Sequence, residues 1–320
     1  MSVRGSPVAG AIGLSGFARD LLDCLESHPH AISPKYFYDS AGSQLFERIC
    51  DLPEYYLTRT EVSIFDLHVG EMAAAIGPGA EVVEFGAGSL RKARLLLDAL
   101  AAPRRFVAID ISGEHLEASA AELRTLFPAV EVKSVEGDFT RLQSLVLGPP
   151  VGKRRVGFFP GSTIGNFTPE QAREFLSAAA VLLAGGGLLV GVDLVKDPRV
   201  LHAAYNDAAG VTAAFNRNLL TRANRELGSD FREDSFHHYA FYRAEKQRIE
   251  MHLISACAQE VSLCGRRFLL AEGESIHTES SQKYTITSFH ALARQCGFHP
   301  RATWCDKQRY FSVHWLEAPI

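Results

Sequence analysis

The chain has 320 residues, of which 47% are hydrophobic and 22% are charged, a composition typical of a globular protein with one elaborate domain or two. The formal net charge of -4 provides no basic field that would attract nucleic acid. No apolar stretch reaches the roughly 18 residues of a membrane span, and no basic start followed by an apolar run marks a secretory signal. We therefore expect a cytoplasmic protein that binds neither nucleic acid nor membranes.

The cysteines give no sign of a disulfide scaffold or a metal site. Six of them are scattered along the chain without a C-x-x-C pair, at Cys24, Cys50, Cys257, Cys264, Cys296 and Cys305. Metal sites and disulfide scaffolds usually show closer spacing, so we expect reduced thiols that pack among other side chains. The sequence predicts no metal.

The N-terminal part of the chain has the pattern of helices. Apolar residues recur at helical spacing from residue 12 onward, and Pro34 and Pro53 interrupt the helical segments that extend to about residue 59. A further helix is predicted over residues 60–76, ending near Gly77. No glycine-rich loop occurs here, so this region precedes the part of the chain that holds a cofactor.

Strands and helices then alternate, which indicates a mostly parallel sheet with helices on both faces. Five strands are predicted, over residues 81–85, 105–110, 130–135, 156–159 and 188–195. Between the last two, Thr168 is a candidate helix cap, Pro169 suits the first turn and a run of glycines starting at Gly185 ends the helix.

The alternation stops after the fifth strand and resumes near the C-terminus. Residues 197–235 have a helical pattern, and runs at 249–257 and 267–271 resemble strands. A helix at 286–296 and a hairpin formed by 302–305 and 310–315 complete the sheet. The predicted fold is α/β, a doubly wound (Rossmann-like) sheet with a second, smaller α+β domain. Residues 60–196 and 285–320 form the first domain, and residues 1–59 and 197–284 form the second, substrate-binding one.

A glycine loop directly after the first strand is the strongest local motif. Glu84 precedes Gly86, Ala87 and Gly88, and a helix follows. Glycines let the backbone approach a ligand closely. A dinucleotide fingerprint requires a further glycine where Arg91 stands, which argues against a pyrophosphate ligand.

Acidic residues follow the next two strands, at the sheet edge where such folds bind ligands. Asp110 is placed to accept hydrogen bonds from ribose hydroxyls, and Asp138 with Phe139 offers a carboxylate and a ring to an adenine. Lys92, early in the following helix, either binds the cofactor's carboxylate or is a solvated helix lysine. Together these residues predict S-adenosyl-L-methionine as the cofactor, with a nicotinamide dinucleotide as the alternative.

The turn after the fourth strand presents Asn166 beside the expected methyl donor. At this point the chain resembles the bacterial histidine Nα-methyltransferases that make hercynine on the way to ergothioneine. The resemblance extends over about residues 30–316. Its motifs are PKYFYD (34–39), LPEYY (52–56), TRTE (58–61), GSTIGN (161–166), GVDLVKDP (191–198), AAYNDAAGVT (203–212), FNRN (215–218), EM (250–251) and TESSQK (278–283).

The resemblance implies a substrate site for L-histidine and three successive methyl transfers to its α-amine. It assigns the α-carboxylate to Asn166 and Tyr205, and the region of the reacting amine and ring to Tyr38 and Tyr55. Tyr38 and Asn166 are the candidate catalytic residues, because they can orient the amine. The imidazole is assigned to the remaining matches, Met251, Glu279 and Ser281. Glu279 and Ser281 are two residues apart in a strand-like stretch and therefore project on one face.

Two alternatives remain open on the sequence. The same fold methylates another aromatic amino acid, such as a tryptophan derivative, or it senses S-adenosylmethionine without turnover. In each case we expect a monomer that binds a small molecule.

Overall fold

The computed structural model describes residues 14–88 and 90–320. The helices in this part of the chain are α1 Gly16–Glu26, α2 Ser40–Cys50, α3 Tyr56–Ile76, α4 Leu90–Ala99, α5 Gly113–Leu126, α6 Pro169–Leu182, α7 Pro198–Tyr205, α8 Val211–Leu227 and α9 Ile286–Gln295. The strands are β1 His30–Ala31, β2 Ala80–Phe85, β3 Arg105–Asp110, β4 Glu131–Glu136, β5 Arg154–Phe159, β6 Gly187–Asp193, β7 Phe236–Arg243, β8 Arg248–Ser255, β9 Gln259–Leu263, β10 Arg266–Leu270, β11 Ser275–Gln282, β12 His299–Cys305 and β13 Phe311–Glu317.

A seven-stranded sheet in the order β12-β13-β6-β5-β2-β3-β4 forms the centre of the molecule. Strands β2 to β6 are parallel to one another, whereas β13 is antiparallel to both β6 and β12. Every residue of β2 and β6 is buried, as expected for parallel strands covered on both faces. The doubly wound fold class, the five predicted strands and the closing hairpin are confirmed. The strand order reverses between β2 and β5, where such sheets bind ligands.

The helix after β5 begins and ends as its sequence predicts. The Thr168 side chain accepts a hydrogen bond from the Gln171 backbone N–H, and the Gln171 side chain accepts one from the Thr168 N–H. This reciprocal capping satisfies two backbone donors at the start of α6, and Pro169 occupies its first turn. Beyond the helix, Gly185 has a φ of 77°, a conformation that favours glycine.

A second sheet, in the order β1-β11-β8-β7, lies outside the doubly wound unit, beside a separate β9–β10 hairpin. Its inner face packs with residues of α1, α2, α7 and α8 into one hydrophobic core that includes Phe37, Phe215 and Leu253. Two further cores contain the side chains around the seven-stranded sheet. Among the helices of the described residues, none has the length and apolarity to cross a membrane.

The region between residues 197 and 284 contains more strand than the sequence predicts. The helical prediction to residue 235 is wrong beyond Leu227, because α8 ends where Gly228 takes a φ of 65°. Strand β7 was missed because aromatic residues and histidines occupy both its faces, which removes the apolar alternation. The N-terminal helical prediction begins at residue 12, which lies outside the described residues, and the first helix starts at Gly16.

Candidate active site

The glycine loop is held against the end of β3. Gly86 has a φ of 77°, and a side chain there would place its Cβ 3.3 Å from Phe139 Cε1. The backbone N–H groups of Gly86 and Ala87 both donate to the Ile109 carbonyl, at 2.9 and 3.0 Å. Two predicted cofactor segments, residues 84–88 and Asp110, therefore meet at the carboxyl edge of the sheet.

Glu84 is a buried carboxyl group whose Oε2 has no hydrogen-bond partner in the described structure. Burial, opposed by Lys92 and reinforced by the nearby carboxylates of Asp110 and Glu61, raises the pKa of Glu84 to about 8. An unsatisfied buried carboxyl group is stabilised by a cationic ligand. Glu84 therefore suits the ammonium group of S-adenosylmethionine and does not suit a phosphate.

Asp110, Asp138 and Phe139 lie at the same edge. The Gly137 N–H donates to the Asp110 carbonyl oxygen at 2.9 Å, which joins the ends of β3 and β4. Asp110 Oδ1 accepts from the Ser112 N–H at 2.9 Å, and Asp138 Oδ1 accepts from the Thr140 N–H at 3.0 Å. These bonds orient both carboxylates.

Lys92 pairs with Glu61, which the family resemblance includes only as the last residue of the TRTE motif. Its Nζ is 2.8 Å from Glu61 Oε2, and the two carboxylate oxygens of Glu61 accept from the Gly161 N–H at 3.0 and 2.9 Å. Glu61 is fully buried and tightly enclosed, since a Cβ at Gly191 would lie 2.1 Å from its Oε1. It therefore ties α3 to both α4 and the turn after β5. Its sequence signal is an acid on the apolar face of a helix, four residues after Leu57.

The turn containing Asn166 is also anchored to the second sheet. A Cβ at Gly165 would lie 2.9 Å from the Gln282 carbonyl oxygen, so glycine permits the turn to approach the end of β11. Ser162 Oγ accepts from the Asp193 N–H at 2.9 Å. The half-buried Asn166 side chain forms no hydrogen bond with the described residues, and its amide is available to a ligand.

Strand β11 presents the predicted imidazole-binding pair. Its register with β8 shifts between His277 and Glu279, and Glu279 then lies opposite Met251. Beyond this bulge Glu279, Ser281 and Lys283 are all buried, while the residues between them are partly exposed. Burial, only partly opposed by Lys283, raises the pKa of Glu279 to about 7. The Glu279 carboxyl group forms no hydrogen bond with another described side chain.

Ser281 and Tyr205 belong to a buried network centred on Lys283. The Lys283 Nζ lies 2.7 Å from Ser281 Oγ, 3.1 Å from the Tyr205 hydroxyl and 2.8 Å from Asp193 Oδ2. All three ammonium donors are therefore used. The Ser281 and Tyr205 oxygens are 2.8 Å apart. One of the two hydroxyl protons forms the hydrogen bond between these oxygens, and the other can be donated to a ligand.

Asp193 extends this network toward the N-terminal helices. Its two oxygens accept from the Tyr56 hydroxyl at 2.9 and 2.7 Å, and Lys196 Nζ is 2.5 Å from Oδ1. Burial raises the pKa of Asp193, but Lys283 and Lys196 outweigh it and hold that pKa below its usual range. Sequence reasoning assigned none of these residues except as members of family motifs.

Tyr38 and Tyr55 belong to an aromatic cluster. The Tyr38 ring centroid is 5.6 Å from that of Phe46, and the Tyr55 centroid is 6.4 Å from that of Tyr205. Burial raises the pKa of both tyrosines well above the usual range, and the nearby Glu279 carboxylate raises it further. Both remain neutral phenols at physiological pH. They can orient a group by hydrogen bonding but cannot act as bases from a phenolate form.

Comparison with known proteins identifies the family. The sequence profile of the histidine-specific, S-adenosylmethionine-dependent methyltransferases matches residues 17–318. The chain belongs to this family. It is 42% identical over 301 residues to a histidine N-alpha-methyltransferase of Mycolicibacterium smegmatis and 40% identical over 302 residues to one of Mycobacterium tuberculosis, and each alignment covers 92% of both chains. Ergothioneine biosynthesis protein 1 of Neurospora crassa is 31% identical over 88% of this chain and 32% of that protein.

Membership of this methyltransferase family confirms the predicted cofactor, S-adenosylmethionine, and the nicotinamide alternative is wrong. The predicted site residues fall into two groups, a cofactor group and a substrate group, and one turn of the chain lies between them. Residues around the glycine loop meet at the edge of the seven-stranded sheet, and those of the substrate group surround β11. The turn at residues 161–166 contacts both groups, through Glu61 on one side and Gln282 on the other. The individual roles of these residues stay predictions.

Proposed function

We propose that this methyltransferase transfers methyl groups from S-adenosylmethionine to the α-amine of L-histidine, three times in succession, and forms hercynine for ergothioneine biosynthesis. The observation that carries the proposal is the pair of Glu279 and Ser281 on one buried face of β11, opposite Met251. The histidine N-alpha-methyltransferase relatives, at 40–42% identity over nearly the full chain, support the same substrate.

The imidazole of histidine complements this pair. A neutral imidazole has one N–H donor and one acceptor nitrogen. The Glu279 carboxylate accepts the N–H, and the hydroxyl proton left over by the Ser281–Tyr205 pair is available to the acceptor nitrogen. An indole has an N–H but no acceptor nitrogen, and a phenyl ring has neither. Either ring leaves a buried polar group unpaired, so rejection of tryptophan and phenylalanine follows.

The backbone end of the substrate is assigned to residues on other elements. The Asn166 amide donates to the α-carboxylate, and Tyr205 shares this role when its hydroxyl turns from Ser281. Tyr38 and Tyr55 surround the amine with aromatic rings, which favour the cationic methylated products. The amine pocket thereby accepts growing bulk and a permanent positive charge.

S-adenosylmethionine, when bound, supplies an electrophilic methyl group on a positively charged sulfur. Glu84 binds the cofactor's ammonium group, Asp110 its ribose hydroxyls, and Asp138 with Phe139 its adenine. Tyr38, as a neutral phenol, orients the amine lone pair, and the amine proton leaves to water. Catalysis then rests on positioning and exclusion of water, and no residue is required as a strong base.

The same proposal covers the organisation of the chain. Residues 60–196 and 285–320 act as the cofactor-binding domain, and residues 1–59 and 197–284 as the substrate-binding domain. We also propose that the enzyme acts as a monomer in the cytoplasm.

The test is product analysis by mass spectrometry with the purified protein, S-adenosylmethionine and L-histidine, beside an L-tryptophan control. We expect mass gains of one, two and three methyl groups on histidine, and fragmentation should place them on the α-amine. Methylated tryptophan with unchanged histidine would refute the imidazole assignment. Cofactor binding without transfer to either would favour the sensor function.

A further inference from the structure

A cluster of two histidines and a glutamate lies apart from the proposed methyl-transfer site, at the edge of the four-stranded sheet. His28 lies two residues before His30, the first residue of β1, and Glu274 directly precedes β11. One ring nitrogen from each histidine and one carboxylate oxygen all lie within 4.8 Å of one another. From this cluster we propose a binding site for a divalent cation of the zinc class.

The hydrogen bonds around His30 aim its ring at the site. Its Nδ1 lies 2.7 Å from the Cys24 carbonyl oxygen, which can only accept, so Nδ1 carries a proton. In the neutral ring, Nε2 then has a lone pair, and it points at Glu274 Oε1 from 3.1 Å. Two acceptors this close require a cation or a proton between them. Metal-binding histidines commonly donate their other N–H to a carbonyl in this way, which fixes the ring.

Glu274 is oriented as well. Its Oε2 accepts from the Ala271 N–H at 2.7 Å, which leaves Oε1 toward both histidines. The distance from Oε1 is 3.1 Å to His30 Nε2 and 3.6 Å to His28 Nδ1. Neighbouring ligands of a tetrahedral zinc ion are about 3.4 Å apart, as follows from its bond lengths of about 2.0–2.2 Å. These two separations lie on either side of this value, and the two histidine nitrogens are at most 4.8 Å apart.

The composition and exposure of the cluster select the kind of ion. Two imidazoles and one carboxylate are typical zinc ligands, whereas calcium and magnesium prefer oxygen donors. His28 is mostly exposed, so solvent can supply a fourth ligand. The ion would join residues 28–30 to the start of β11, which β1 contacts by pairing His30 with Ile276. We therefore expect zinc to stabilise this sheet edge, independently of methyl transfer.

The test is zinc titration by calorimetry with chelator-treated protein from which any affinity tag has been removed. The expected result is one equivalent of Zn²⁺ bound and a rise in Tm on saturation. Two variants test the ligands: His28→Ala, at an exposed position, and Glu274→Gln, which keeps an oxygen to accept from the Ala271 N–H. Each should weaken zinc binding by about 10–100-fold or more. His68→Ala is the matched control, because His68 lies outside the cluster and contacts Glu71, and it should bind zinc like the wild type.

Two results would overturn the proposal. Failure of the wild type to bind zinc would mean that protons bridge Glu274 and the histidines. Undiminished binding in both His28→Ala and Glu274→Gln would place the ion on other groups, such as the thiols. Neither result affects the proposed histidine methylation, which is measured separately without added metal.

Discussion

Glu84 and Glu279 are buried carboxyl groups, and burial raises their pKa values to about 8 and about 7. Glu84 Oε2 has no hydrogen-bond partner among the described residues, and Glu279 accepts no hydrogen bond from another described side chain. Such groups lower the stability of the free protein, and a ligand that neutralises them recovers that free energy. At the scale of single residues, a buried carboxyl group of this kind therefore indicates a ligand site, in contrast to one that is paired within the protein, as Asp193 is with Lys283.

Replacing Glu279 with glutamine should stabilise the free protein at alkaline pH. The unfolded carboxyl group loses its proton near pH 4.5 and the folded one near pH 7, so the wild type loses stability as pH rises through this window. The difference corresponds to about 3 kcal/mol at pH 8 and vanishes below pH 4.5. Urea unfolding of the wild type and the variant at pH 5 and pH 8 measures this difference in the free energy of unfolding.

The same variant should lower kcat/KM for histidine by about 10–100-fold, because a charged hydrogen bond contributes about 1.5–3 kcal/mol. Glu272→Gln, at an exposed position near the start of the same strand, is the control and should change neither quantity. Equal unfolding curves for wild type and Glu279→Gln at pH 8 would contradict the buried, unpaired state of Glu279.

Cofactor binding should release a proton from Glu84. At pH 7 a carboxyl group with a pKa of about 8 is mostly protonated, and it must ionise to pair with an ammonium group. Calorimetry of S-adenosylmethionine binding in buffers of different ionisation enthalpy should show nearly one proton released. Glu84→Gln should abolish the release and weaken binding by about 10–100-fold. Glu122→Gln, at an exposed position, is the control and should release the proton like the wild type. If proton release persists in Glu84→Gln, the proton comes from another group.

At the scale of elements, the turn at residues 161–166 joins the cofactor edge to β11. Gly165→Ala should displace this turn, because the added Cβ would lie 2.9 Å from the Gln282 carbonyl oxygen and 3.3 Å from its nitrogen. A displacement of about 1 Å can cost about 100-fold in rate. We expect kcat/KM for histidine to fall by about 10–100-fold, with little change in cofactor affinity.

Gly70→Ala, in the middle of α3, is the matched control, because its Cβ would meet nothing within 4 Å. Steady-state kinetics with histidine and calorimetry with the cofactor separate the two effects. If Gly165→Ala keeps wild-type kinetics, close packing of the turn on β11 does not position Asn166.

Lys283 is a positioning residue between β11 and the network of Asp193. Lys283→Met leaves Ser281 and Tyr205 without their shared donor and should raise KM for histidine by about 10-fold or more. It also removes one partner of a buried ion pair, so a loss of about 3–5 kcal/mol in stability is expected.

The readout specific to positioning is the affinity for S-adenosylmethionine, which should stay near the wild-type value while KM for histidine rises. Lys246→Met, at an exposed position between β7 and β8, serves as the control. An unchanged KM for histidine in a folded Lys283→Met protein would reduce Lys283 to a structural role.

At the scale of the whole molecule, features with local signals were predictable from the sequence. Strands β3, β5 and β6 of the large sheet appear as apolar runs, and α6 carries its own cap at Thr168. Partners distant in sequence were not predictable. Nothing near Glu61 in the chain indicates that it accepts from Gly161, and nothing near Lys283 points to Asp193, 90 positions earlier. Strand β7 was missed because its mixed faces give no period of two.

The central claim is that the buried pair on β11 selects histidine. The most direct measurement is a competition assay, in which the protein and S-adenosylmethionine are incubated with an equimolar mixture of the common amino acids and the products are followed by mass spectrometry. We predict one, two and then three methyl groups on the α-amine of histidine alone. Methylation of tryptophan or another amino acid in preference to histidine would contradict the claim.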